Sequence, residues 1–119
     1  MVQEIDVTEA LRRVAAGSRL VDVREQHEWD AGHAPQAAFL PMSALQERWT
    51  EVAADDDDPA IIVCHSGYRS AQVADALERS GVPAVSLAGG MVAWAEAGGA
   101  GVTGDASAPD ADSEPRRAE

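Results

Sequence analysis

The sequence contains no lysine, and its nine cationic residues are all arginines scattered along the chain. Against 21 acidic side chains they leave a formal charge of −12 and a pI near 4.4. Nucleic acids and anionic membrane surfaces both require a basic face, which this composition does not supply. The acidity is not confined to one end, because residues 1–98 hold 16 acidic and 7 basic side chains. An anionic ligand would have to be held by a strong local site. No stretch approaches the roughly 20 continuous apolar residues of a membrane span. Met1-Val2-Gln3-Glu4 has neither the basic nor the apolar region of a secretory leader, so a cytoplasmic location is expected. Cysteine is nearly absent too. The one thiol, Cys64, rules out an internal disulfide and a multi-thiolate metal centre within the chain.

What is present suits one compact domain: 119 residues, 45% of them hydrophobic, with the aliphatic residues in short bursts between charged or Gly/Pro punctuation. Thr8 is a candidate N-cap for a helix over Glu9 to Ala16, with Leu11, Val14 and Ala15 on one face and Gly17 as its stop. Leu20-Val21-Asp22-Val23 reads as a buried strand, followed by a short helix around His27–Trp29 that ends at Gly32. Phe39-Leu40 suggests a brief strand, and Ser43 with Gln46 three residues on suggests a capped short helix running to Trp49. Asp55-Asp56-Asp57-Asp58-Pro59 reads as a solvated loop, since adjacent like charges repel and a cation site needs spaced, converging ligands. Ala60–Val63 is a buried strand and Ser70–Ser80 an amphipathic helix. Ala84–Leu87 is a last strand, and Met91–Glu96 a last helix.

This alternation predicts an α/β domain over residues 1–98 with a largely parallel sheet covered on both faces. Apart from Val102 and Thr103, residues 99–119 are Gly, Ala, Asp, Ser, Pro, Glu and Arg with almost nothing to bury, and are expected to form a disordered C-terminal tail.

The chemistry concentrates in the loop Cys64-His65-Ser66-Gly67-Tyr68-Arg69-Ser70. Cys64 follows an apolar strand and Ser70 opens a helix, which places the thiol at the carboxyl edge of the sheet, where open α/β sheets bind ligands. Helix-terminal amides, and a loop that turns further amides inward, favour thiolate over thiol and so make a nucleophile. Gly67 permits positive φ, and the Arg69 guanidinium suits an oxyanion such as a sulfonate. Ser70 is either a hydrogen-bond donor to the sulfur or simply a helix cap. His65 is read as a solvent-facing rim residue, and Tyr68 as a gate or a cover. A cysteine elsewhere would pass for a buried structural thiol. Between a buried strand and a Gly-containing loop closed by Arg, it reads as reactive.

Three stretches together resemble a single-domain rhodanese: Leu20-Val21-Asp22-Val23-Arg24-Glu25 with Glu28-Trp29 and Gly32-His33-Ala34-Pro35; the Cys64–Ser70 loop; and Leu87-Ala88-Gly89-Gly90-Met91 with Ala93-Trp94 and Gly98. They span about residues 4–98, with Gln36 and Met91 departing from the usual pattern. The resemblance implies a five-stranded, mainly parallel sheet flanked by helices. It also implies a cysteine that takes sulfane sulfur from a donor such as thiosulfate as a persulfide and yields it to cyanide, a small thiol or a protein acceptor, with no cofactor or metal. The spacing Cys64-x4-Arg69 is one residue shorter than the Cys-x5-Arg of related phosphatases and arsenate reductases, and resembles the smaller rhodanese cradle. Asp22 and Arg24 are supporting candidates, although with Glu28 and His33 they are read first as a structural network of paired side chains. A rival to turnover is a rhodanese-like binding or stress-signalling module.

Overall fold

The computed structural model describes residues 2–103. In chain order the elements are β1 (Gln3–Ile5), α1 (Val7–Ala15), β2 (Leu20–Asp22), α2 (Gln26–Ala31), β3 (Ala38–Phe39), α3 (Leu45–Arg48, between 3-10 turns at Met42–Ala44 and Trp49–Glu51), β4 (Ala60–Val63), α4 (Tyr68–Arg79), β5 (Ala84–Leu87) and α5 (Gly90–Glu96). The five strands form one sheet in the order β1-β5-β4-β2-β3, and every pairing is parallel. The sheet predicted as largely parallel is parallel throughout.

Strand alternation divides the core. On one side Leu20, Ile61, Val63, Val85 and Leu87 pack with Trp29 of α2, Val14 of α1 and Trp94 of α5. On the other, Val21, Ile62 and Ala84 pack with Val73 and Leu77 of α4. Each such fully buried aliphatic side chain contributes about 1.5–3 kcal/mol relative to exposure. Cys64 continues the phase of Ala60 and Ile62, so its side chain falls on the α4 face. Because β4 lies at the centre of the sheet and is buried at all four positions, the thiol emerges from a fully enclosed strand.

Several local expectations shift. The α1 cap is Asp6, whose carboxylate accepts the Glu9 amide at 2.9 Å, and Thr8 lies inside the first turn. Ser43 caps no helix. It sits in a 3-10 turn with its hydroxyl donating to Glu25 at 2.8 Å, and α3 starts at Leu45 with no side-chain cap. The brief strand covers Ala38–Phe39, one residue earlier than the pattern suggested. Helix α4 begins at Tyr68, so Arg69 and Ser70 both lie in its first turn. Asp55–Asp58 is an exposed turn in which the Asp55 carboxylate accepts the amides of Asp57 and Asp58. Among the described residues, no group of three or more His, Cys, Asp and Glu side chains could hold a metal ion.

Chain beyond Gly98 does not leave the fold at once. The Gly99 amide donates to the Trp94 carbonyl, the Trp94 indole donates to the Ala100 carbonyl at 2.8 Å, and Val102 exchanges two backbone hydrogen bonds with His33. The expected disordered tail therefore has an ordered first few residues, and its remainder, 104–119, lies outside the described residues. No described helix is long and apolar enough to cross a membrane.

Candidate active site

Cys64 leaves β4 as the chain turns into a tight loop that closes on α4. Gly67 holds φ +113°, a left-handed conformation that costs a side-chain-bearing residue energy, and serves as the N-cap of α4. The loop is tied down from below by the start of α5. The Met91 amide donates to the Cys64 carbonyl at 2.7 Å, and the Val92 amide to the His65 carbonyl at 3.1 Å. Gly90 makes this approach possible, because a Cβ there would overlap the carbonyl oxygens of Cys64 and His65.

With those carbonyls engaged by α5, the following amides face the sulfur. The Gly67 N–H donates to Sγ at 3.1 Å and the Ser70 N–H at 3.3 Å. The Ser70 hydroxyl is 3.4 Å from Sγ, where it accepts from the thiol and, once the thiol ionises, becomes a donor to it. Burial is the largest single influence on the thiol and pushes its pKa up. The Ser70 hydroxyl and the amides of Ser70, Gly67 and Ser66 together outweigh it and hold the pKa below its ordinary value. The residue is 1% exposed, so its ionised form is stabilised by fixed dipoles and not by bulk water.

Charged groups ring the loop at a greater distance. Arg69 donates from both terminal nitrogens to Glu28 of α2, at 2.7 and 2.8 Å. This pairing holds the Glu28 carboxyl at about 2 and raises the Arg69 pKa. Asp22 and Arg24, both buried, are spent on each other: the guanidinium donates to the carboxylate at 2.8–3.2 Å and to the Gly32 carbonyl at 2.6 Å. The first turn of α5 carries no acidic residue. His33 is buried, stacked 3.5 Å from Trp29, with Nδ1 2.8 Å from the Trp29 carbonyl. These contacts tie Asp22 and Arg24 to each other and to the Gly32 carbonyl, and His33 to Trp29. His65 and Ser66 are exposed at the rim, and Tyr68 is 74% exposed.

Of the predicted site, Cys64, Gly67 and Ser70 converge on the sulfur, and Ser70 proves to be both donor and first-turn residue. Arg69 is at the rim but already held by Glu28. Two contributors escaped the sequence. Glu28 reads from the sequence only as part of a network, and no motif marks Ser86 of β5, whose buried hydroxyl lies 2.8 Å from that of Ser70. A lone serine inside the apolar run Ala84–Leu87 was the available signal.

A sequence profile described as "Rhodanese-like domain" matches residues 6–97. The chain is 39% identical over 101 residues to a "Sulfurtransferase" of Allochromatium vinosum, covering 82% of this chain and 92% of that one. It is 37% identical over 78 residues to the "Probable adenylyltransferase/sulfurtransferase MoeZ" of Mycobacterium tuberculosis, covering 65% of this chain but only 20% of that longer protein. Among solved structures, the rhodanese-related protein of Thermoplasma volcanium superposes with a TM-score of 0.75 at 28% identity, covering 84% of this chain and 97% of that one. A parallel five-stranded sheet with its cysteine loop at the carboxyl edge, and a profile match across nearly all of the described residues, make this chain a member of the rhodanese-like family.

Proposed function

We propose that the chain transfers sulfane sulfur through a persulfide on Cys64, from thiosulfate or a similar donor to a thiophilic acceptor. The observation that carries this reading is the convergence of the Gly67 and Ser70 amides and the Ser70 hydroxyl on one buried sulfur. Such a cradle stabilises a sulfur anion both before and after one more sulfur atom is added. In the first step the Cys64 thiolate attacks the outer sulfur of thiosulfate. An S–S bond to Cys64 forms, the bond to the sulfonate group breaks, and sulfite departs with its electron pair. In the second step cyanide or a thiolate attacks the terminal sulfur of the persulfide, and the Cys64 thiolate leaves.

With no second cysteine in the sequence, the acceptor must be another molecule, either a small nucleophile or a protein. Sulfurtransferase names among the relatives support sulfur transfer in general, and the lone thiol suits a reducing cytoplasmic setting. Thiocyanate formation from thiosulfate and cyanide tests the reading. Turnover should be present in the native chain and absent in Cys64→Ser, and equal rates in the two would refute it.

A further inference from the structure

Arg69 lies in the first turn of α4, directly after the Cys64 loop, close enough for the charge of Cys64 to act on its guanidinium. Among the described residues the other arginines are engaged or remote. Arg12 and Arg13 pair with Glu9 on α1, Arg48 pairs with Glu51, and Arg79 pairs with Asp75 at the far end of α4. Arg24 is buried against Asp22, and Arg19 precedes β2 at the opposite edge of the sheet. Arg69 is not free either. Glu28 takes both of its terminal nitrogens, and the pair is a built feature: Glu28 Oε1 also accepts the Glu25 amide at 3.1 Å, closing the capping box of α2. The carboxylate is thus fixed from its own helix while it grips α4, with the two side chains 23% and 30% exposed.

We propose that Glu28 is a specificity-determining residue: by neutralising Arg69 it makes the mouth of the Cys64 loop accept doubly charged donors such as thiosulfate less readily than neutral or zwitterionic persulfides. The donor preference rests on the sulfur-transfer reading above. A dianion can reach Arg69 only by displacing the Glu28 carboxylate, or by sharing the guanidinium with it, and in both cases a second negative group stays beside it. Attraction and repulsion then nearly cancel, in a chain that already carries −12. A zwitterionic persulfide meets no such opposition: the Cys64 thiolate attacks its outer sulfur, the donor's S–S bond breaks, the donor leaves as its thiolate, and the sulfur now on Cys64 is stabilised by the Gly67 and Ser70 amides without Arg69.

The test separates charge from turnover. Cys64 is alkylated with iodoacetate, an anion, and with iodoacetamide, its neutral counterpart, in the native chain and in Glu28→Gln and Glu28→Asp. Gln keeps an acceptor for the Glu25 amide and removes the charge; Asp keeps the charge. The iodoacetate-to-iodoacetamide rate ratio should rise about fivefold in Glu28→Gln and stay near native in Glu28→Asp. In parallel, kcat/KM for thiosulfate should rise about fivefold in Glu28→Gln, and that for cysteine persulfide should change less than twofold. An unchanged alkylation ratio, or equal changes for both sulfur donors, would overturn the proposal. A shifted ratio with no sulfur loaded from either donor would uphold Glu28 as an anion gate and refute the sulfur-transfer reading instead.

Discussion

Ser86 of β5 and Ser70 of α4 meet hydroxyl to hydroxyl, 2.8 Å apart, with both residues fully buried. The Ser70 oxygen is also 3.2 Å from the Gly67 carbonyl and 3.4 Å from the Cys64 sulfur. Ser70 has one proton to give. When Cys64 is a thiol, that proton goes to the Gly67 carbonyl and the thiol donates to Ser70. When Cys64 is a thiolate, the proton turns to the sulfur. A donated proton from Ser86 leaves the Ser70 hydroxyl free to follow the charge.

Ser70→Ala therefore removes a donor from the ionised sulfur and raises the thiol pKa. Hydrogen bonds to charged groups are worth about 1.5–3 kcal/mol. Iodoacetamide alkylation at neutral pH should slow by roughly tenfold or more, and its pH profile should move to higher pH. Ser86→Ala should shift the profile in the same direction by less, since it acts through Ser70.

Gly90→Ala places a methyl group against the carbonyl oxygens of Cys64 and His65, in a residue with φ +56°. Backbone cannot yield here as a side chain can, because those carbonyls are held by Met91 and Val92. A loss of about 1–3 kcal/mol is expected in urea unfolding, together with reduced thiol reactivity.

Acid should weaken the clasp between α2 and α4. The Glu28 carboxyl is held at about 2, below its ordinary 4.5, chiefly by hydrogen bonds from Arg69. A carboxyl with a depressed folded-state pKa contributes stability that is fully present above its unfolded pKa and is lost as pH falls from about 4.5 towards 2. The stability difference between the native chain and Glu28→Gln should accordingly shrink across that window. A difference independent of pH would show that the pair contributes nothing to folding.

Gly99 abuts the Trp94 indole so closely that a Cβ would overlap the ring, and Trp94 is 1% exposed and anchored through Ala100. Gly99→Ala should cost about 1–3 kcal/mol in thermal or urea melts. A neutral outcome would mean that the residues after α5 are not held as described.

The cysteine loop was legible because its grammar is local: an apolar strand, a thiol, a glycine and a helix within eleven residues of sequence from Ala60 to Ser70. The parts that were not legible depend on contacts between distant segments. Glu28 and Arg69 are 41 positions apart, and nothing in either sequence neighbourhood marks the other as its partner. Ser70 and Ser86 meet only because α4 packs over β5. Strand β1 escaped notice because two of its three residues, Gln3 and Glu4, are exposed on an edge strand, so no buried pattern marks it. Asp6 outcompeted Thr8 as a cap because its carboxylate reaches the amide of Glu9, three residues on. The ordered turn after Gly98 is set by the Trp94 indole and the His33 backbone, neither of which its Gly/Ala composition reveals.

The central claim is that Cys64 carries sulfur, and intact-mass measurement after exposure to thiosulfate or cysteine persulfide tests it most directly. One added sulfur atom should appear on the native chain, vanish on addition of cyanide, and be absent from Cys64→Ser. No adduct from either donor, or an adduct that persists in Cys64→Ser, would contradict the account.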